Sequence, residues 1–120
     1  MLPHSHRLRL RREFGVAARR GRRAGSSTLV VHLAASELDT AADPARVGFV
    51  VSRACGPAVV RNRIRRRLRH LVLRHLPDLP LGGLVVVRAL PASATASPGH
   101  LEGDLSHCLD RLLTSTGTRP

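Results

Sequence analysis

The residues with the most to do are gathered between Arg61 and Arg74. Arg61, Arg63, Arg65, Arg66, Arg67, Arg69 and Arg74 surround Asn62 and His70 in a stretch without an acid. Guanidinium groups at this density suit one kind of chemistry, the gripping of phosphate, because the planar fork of donors matches a phosphate twice over. The same stretch argues against hydrolysis by the chain itself. Metal-dependent phosphodiester cleavage needs gathered carboxylates to hold divalent ions. From Pro44 through Pro77 there are nine Arg and no Asp or Glu. The histidines are scattered, at 4, 6, 32, 70, 75, 100 and 107. A single general base such as His32 has no evident partner in the sequence, and a histidine without a catalytic role is the commoner case. No nucleophile elbow, glycine-rich phosphate loop or zinc spacing occurs.

The element that must position these arginines is a helix. Val60, Ile64, Leu68, Leu71, Val72 and Leu76 recur at helical spacing and gather on one side. Arg61, Arg65 and Arg69 step by four along the flank of that apolar stripe. Arg63, Arg66, Arg67 and Arg74, with His70 among them, fall on the far side. One helix thereby offers a core side, a cationic edge and a cationic back. An isolated row of arginines would lay its stems along the core and leave its heads in water. Eight more arginines between Arg7 and Arg23 make that account the weaker one.

Composition sets the bounds. The 120 residues, 42% of them apolar, suffice for one folded domain with a modest core. A formal net charge of +12 and a pI near 11.9 point to a polyanionic partner. All 20 basic residues are Arg, and Lys, Tyr and Gln are absent, which reads first as a compositional bias of the genome. Asn62 and Ile64, the only Asn and the only Ile, both resist that bias inside the arginine helix. Cys55 and Cys108 stand far apart with no ligand spacing, so neither a metal site nor a disulfide framework is expected, and a reducing cytoplasmic setting fits. No apolar run reaches membrane-span length, and the start of the chain lacks the apolar stretch of a secretory signal. Its arginine-rich first 23 residues, with Glu13 the one acid, have a composition that a transit peptide shares.

The rest of the chain reads as alternating elements. Residues 1–6 form an arm and 11–20 a short basic helix stopped at Gly21. Ser27 to Ala35 is a strand with Leu29, Val31 and Leu33 on one face and Thr28, Val30 and His32 on the other. After an acidic loop from Glu37 to Pro44, Arg46 to Val51 is a second strand, nearly continuous in apolar character and therefore expected at the centre of the sheet. Gly56 and Pro57 break the chain before the arginine helix, and Pro77 and Pro80 stop it. Leu84 to Ala89 is a third strand. Leu101, Leu105, Cys108, Leu109 and Leu112 mark a closing amphipathic helix, with a frayed tail after Thr114. The order α-β-β-α-β-α implies a two-layer α/β sandwich, helices packed on a small sheet in one domain.

The run VGFVVSRACGPAVVRNRIRRRLRHL resembles the protein component of bacterial ribonuclease P, whose signature is an Arg-Asn-Arg core led in by Gly-x-Ala-Val. The opening RLRLRREFGVAARRG is similar to that family's first helix, and the order of elements agrees over about residues 7 to 113. The resemblance implies the protein subunit of a ribonucleoprotein endonuclease that removes the 5′ leader from precursor tRNA. It implies that the RNA subunit carries the chemistry with Mg²⁺, and that the protein holds the single-stranded leader in a cleft and docks on that RNA. By residue it implies Phe14, His32, Arg61, Asn62, Arg65 and Arg69 for the leader, and Arg63, Arg66, Arg67 and Arg74 for the RNA subunit. No small-molecule substrate and no membrane partner are implied. The strand–helix–strand crossover around the motif is implied to be left-handed, against the usual rule.

Three positions depart from the pattern: Ala18 and His32 stand where the family often has aromatic rings, and Pro57 where it often has Asn. Base stacking on a ring is worth about 1–3 kcal/mol, so leader binding here is expected to lean on phosphate contacts and to be steeply salt-dependent. A structural ribosomal-type RNA-binding protein is the competing reading, since small basic α/β domains serve there too. A stand-alone metal-dependent ribonuclease is opposed by the missing carboxylates.

Overall fold

A computed structural model of the chain describes residues 22–35, 45–80 and 83–118. The helix expected over 11–20, with Phe14 and Ala18, the arm before it and the loop at 37–44 lie outside the described residues. Four strands form one sheet: β1 (Arg22–Gly25), β2 (Leu29–Ala35), β3 (Arg46–Val51) and β4 (Gly83–Ala89). Two long helices are described, α1 (Ala58–Leu73) and α2 (Pro98–Thr118). The sheet order is β1-β2-β4-β3, with β1–β2 and β2–β4 antiparallel and β3–β4 parallel. The mixed sheet and helical layer are those of the expected α/β sandwich.

The sheet differs from the sequence reading in two ways. β1 was not expected, because Arg-Arg-Ala-Gly has no strand pattern of its own and only Ala24 is buried. Its pairing is imposed by the turn that follows. The Ser26 hydroxyl accepts from the Leu29 N–H at 3.1 Å, and the Ser26 N–H donates to the Leu29 carbonyl at 2.8 Å, folding the chain back onto β2. The second difference is the position of β3, which is an outer strand of the described sheet rather than a central one. β4 holds the inner place, and its first five residues are all buried. Phe49 and Val50 of β3 stay half-exposed. An apolar run reports how much cover a strand receives, and helix packing supplies that cover at an edge as well as in the middle.

Alternation along β2 divides the sheet's faces as the pattern indicates. Leu29, Val31 and Leu33 meet Val85, Val87 and Ala89 of β4, Val47 and Val51 of β3, and the apolar sides of both helices. α1 contributes Ile64, Leu68, Leu71 and Val72, and α2 contributes Leu101, Leu105, Cys108, Leu109 and Leu112. Thus Ile64, the lone isoleucine, is a core residue. Leu84 and Val86 form a smaller cluster with Ala34 and Val50 on the opposite face. Among the described residues, no helix is long and apolar enough to cross a membrane.

The lead-in to α1 explains one glycine. Gly56 has φ 136°, a conformation that side chains rarely adopt, and a Cβ there would stand 3.2 Å from Cβ of Val60. The turn lets Pro57 begin the helix, its carbonyl accepting from the Arg61 N–H at 3.0 Å. Pro57 provides no side-chain cap, and the first turn of α1 holds no acid.

Candidate nucleic-acid interface

α1 is 16 residues long, roughly 24 Å at 1.5 Å per residue. With its apolar side pinned to the sheet, its outward side is fixed in space. Asn62, Arg65, Arg66, Arg69 and His70 line an open groove of about 770 Å³. Arg65 Nη1 donates to Asn62 Oδ1 at 3.3 Å, so the asparagine aims a guanidinium along the groove. This gives Asn62, the lone asparagine, a positioning contact. Among the described residues, no acid lines the groove. Its chemistry is that of a cationic trough with directional N–H donors, suited to a phosphodiester chain.

The remaining motif arginines are placed differently. Arg61 is half-buried at the margin of the core, and its Nε is enclosed without a hydrogen-bond partner. Arg63 is exposed and Arg67 half-exposed, and neither lines the groove. Arg74 Nη1 donates to Oε1 of Glu102 on α2 at 2.6 Å, an exposed ion pair. The structure therefore puts Arg66 and His70 beside Asn62, Arg65 and Arg69, and apart from Arg63, Arg67 and Arg74. Spacing by four residues had suggested a different grouping.

His32 lies on the sheet face away from the helices. It is buried, opposite Arg23 on β1 and Val86 on β4. Burial first, then the charges of Arg88 and Arg23, lower its pKa below the ordinary histidine value. Among the described residues, no hydrogen bond joins His32 to the groove on α1.

A further cluster was not legible in the sequence. The Thr28 hydroxyl donates to Asp104 Oδ2, the Ser27 hydroxyl reaches the same oxygen at 3.3 Å, and His100 Nε2 stands 3.3 Å from it. Ser27 Oγ also lies 3.2 Å from His100 Nε2. Serine, histidine and aspartate together invite comparison with a hydrolytic triad. That relay needs serine and aspartate on different ring nitrogens, whereas here both meet Nε2. The cluster is a clamp between the β1–β2 turn and α2. The hydrogen bond from Thr28, followed by those from Ser26 and Ser27 and the charge of His100, holds the Asp104 carboxyl below the usual carboxylate range against a smaller opposing effect of burial. Only spatial proximity reveals it, since the partners are 76 residues apart.

Among the described residues, no three His, Cys, Asp or Glu side chains gather closely enough to hold a metal ion. Cys55 and Cys108 are buried free thiols, and burial pushes the Cys108 pKa up.

A small mixed sheet with both described helices on one face, one of them turning an arginine groove outward, defines a basic α/β protein of the RNA-binding class. The chain belongs to the ribonuclease P protein family, whose model, described as Ribonuclease P, matches residues 2–113. It is 56% identical over 112 residues to the ribonuclease P protein component of a Nocardioides species, covering 93% of this chain and 95% of that one. To the Streptomyces bikiniensis protein component it is 54% identical, covering 99% of this chain and all of the relative. The fold is similar to that of the RNase P protein from Thermotoga maritima, with TM-score 0.70, 27% identity and coverage of 90% and 96% of the two chains. The Staphylococcus aureus RNase P protein gives TM-score 0.74 over 88% of this chain and 93% of that one, at 24% identity.

Proposed function

We propose that this chain, as the protein subunit of ribonuclease P, binds the catalytic RNA and the single-stranded 5′ leader of precursor tRNA in the cytoplasm. Cleavage is carried by the RNA and its Mg²⁺. The observation that supports this most directly is the groove of Asn62, Arg65, Arg66, Arg69 and His70, which no acid lines among the described residues. Family membership supports RNA as the polyanion that such a groove would take. Phosphate contacts from guanidinium forks position an RNA strand without reading its sequence, which suits leaders of varied sequence. Phe14, His32, Arg61, Asn62, Arg65 and Arg69 are assigned to the leader, and Arg63, Arg66, Arg67 and Arg74 to the RNA subunit.

Incubating the chain with precursor tRNA and Mg²⁺, with and without the large RNA, tests the assignment. Faster or tighter cleavage only when both are present supports it. RNA binding with no effect on cleavage would indicate a structural ribosomal-type role, and cleavage by the protein alone would indicate a ribonuclease in its own right. Arg65→Ala should weaken precursor more than mature tRNA, and Arg66→Ala should weaken assembly with the RNA subunit. Because Arg65 and Arg66 share the groove, equal losses in both assays would show that one RNA strand occupies it and that the two roles are not separate.

A further inference from the structure

Among the described residues, two outward arginines of α1 are met by a side-chain oxygen, and the two oxygens differ in charge. Arg65 Nη1 donates to the neutral amide oxygen of Asn62 on the same helix, at 3.3 Å. Arg74 Nη1 donates to the carboxylate Oε1 of Glu102, 28 residues on, at 2.6 Å. Arg63, Arg67 and Arg74 share one side of α1, at steps of four and seven residues. Among the described residues, Arg63 and Arg67 have no carboxylate partner, so within this row it is Arg74 whose charge is answered. The stretch from Pro44 to Pro77 has no acid of its own, and α2 supplies this one.

The pair adds little to the stability of the fold. Its side chains are 64% and 41% exposed, and an ion pair this open to water is worth little. The same exposure leaves the Arg74 guanidinium within reach of an outside anion. We propose that Glu102 competes with the RNA subunit for Arg74: the carboxylate holds the guanidinium in the free protein and gives it up to a backbone phosphate on assembly. The inference rests on the reading of Arg74 as a contact to the RNA subunit of ribonuclease P. It adds an internal anion that opposes that contact.

A side-chain oxygen beside an arginine either aims it or occupies it, and charge decides between the two. Asn62 aims Arg65 without adding negative charge, so a phosphate brought to that guanidinium meets no like charge from its partner. Glu102 brings a full negative charge to the guanidinium that a phosphate would grip, and the two anions repel. Being exposed, the carboxylate moves into water when a phosphate is fixed at Arg74, and no bond or proton changes hands. A polyanion that seats no phosphate there meets a neutral pair and gains nothing from Arg74. Glu102→Gln keeps an acceptor oxygen and removes the charge, which turns this position into the equivalent of Asn62.

The test measures the affinity of the full chain for the RNA subunit at low salt in a double-mutant cycle. Glu102→Gln should bind about two- to fivefold more tightly than the native chain, up to the worth of an exposed ion pair. Arg74→Ala should bind more weakly, and Arg74→Ala combined with Glu102→Gln should match Arg74→Ala alone. Asp110→Asn removes the same charge from an exposed position of α2 that makes no ion pair among the described residues, and it should change affinity much less. Unchanged or weaker binding by Glu102→Gln would overturn the competition. So would a gain that persists without Arg74, or an equal gain from Asp110→Asn, since either would reflect net charge alone. All three of those results leave the ribonuclease P assignment standing, whereas no assembly of the native chain with the RNA subunit would overturn that assignment and the competition together.

Discussion

On α1 the outward positions carry Asn62, Arg63, Arg65, Arg66, Arg69 and His70, whereas on α2 they include His100, Glu102, Asp104, Asp110 and Arg111. Their inward sides match, each a row of aliphatic residues closed against the same sheet face. The polar groups part company in where they find partners. Asp104 is engaged by Ser27, Thr28 and His100, and Glu102 by Arg74, all within the chain. In the groove of α1, Asn62 takes a hydrogen bond from Arg65, and among the described residues no acid lines the site. The difference separates a helix whose polar groups brace the fold from one whose groove cations meet no carboxylate among the described residues. Hydrophobic burial fixes both helices, and charge distinguishes their outward sides.

The comparison is tested most severely at the inward sides, where the two helices should behave alike. Leu68 and Leu105 are each fully buried. Leu68→Ala and Leu105→Ala should each cost about 2–5 kcal/mol in denaturant unfolding. A cost near zero at either would show that one helix is not part of the common core.

Outward substitutions should then separate the helices. Asp104→Ala should cost about 1.5–3 kcal/mol, the range for hydrogen bonds to a charged group. The loss should also depend on pH. Because the fold lowers this carboxyl's pKa, its stabilisation is complete above the ordinary carboxylate value and is lost as pH falls through the lowered one. The variant should therefore unfold with a weaker acid dependence than the native chain. On α1, Arg65→Ala and Arg69→Ala should each change stability by less than about 0.5 kcal/mol. They should instead reduce the salt slope of leader binding by roughly 0.7 for each single-strand phosphate contact removed.

Smaller effects sharpen the contrast. A Cβ at Gly103 meets nothing within 4 Å. Gly103→Ala should stabilise the protein by roughly 0.5–1 kcal/mol through helix propensity, with cleavage unchanged if α2 is a brace. Arg74→Ala breaks an exposed ion pair to Glu102 and should cost less than about 0.5 kcal/mol in thermal unfolding. A much larger loss in assembly with the RNA subunit would place Arg74 at the RNA despite its partner on α2.

Much of this architecture was written locally. The arginine helix, the β2 and β4 strands and the closing helix follow from apolar spacing, because a helix or strand that buries one side must repeat at its own period. β1 was missed because its residues are chosen by the turn at Ser26 and by the neighbouring strand rather than by their own preference. β3 was placed at the centre because a run of apolar residues does not say whether a strand or a helix provides the cover. The groove was partly legible. Arg65 and Arg69 were grouped with Arg61 by spacing and with Asn62 by resemblance, while Arg66 and His70 join the groove, and Arg61 does not line it, because the sheet fixes the helix's rotation. The Asp104 clamp was invisible, since hydroxyls on one turn and a carboxylate on a distant helix carry no mutual signal in the chain.

From its residues alone the chain specifies a basic, acid-poor helix, its apolar stripe and the kind of ligand it suits, because charge and periodicity are local quantities that survive without a fold. Folding decides which arginines share a groove, which are answered by carboxylates from elsewhere, and that a histidine is buried on a sheet face near Arg23 and Arg88. Those outcomes depend on segments distant in sequence meeting across a sheet, and only packing brings them together.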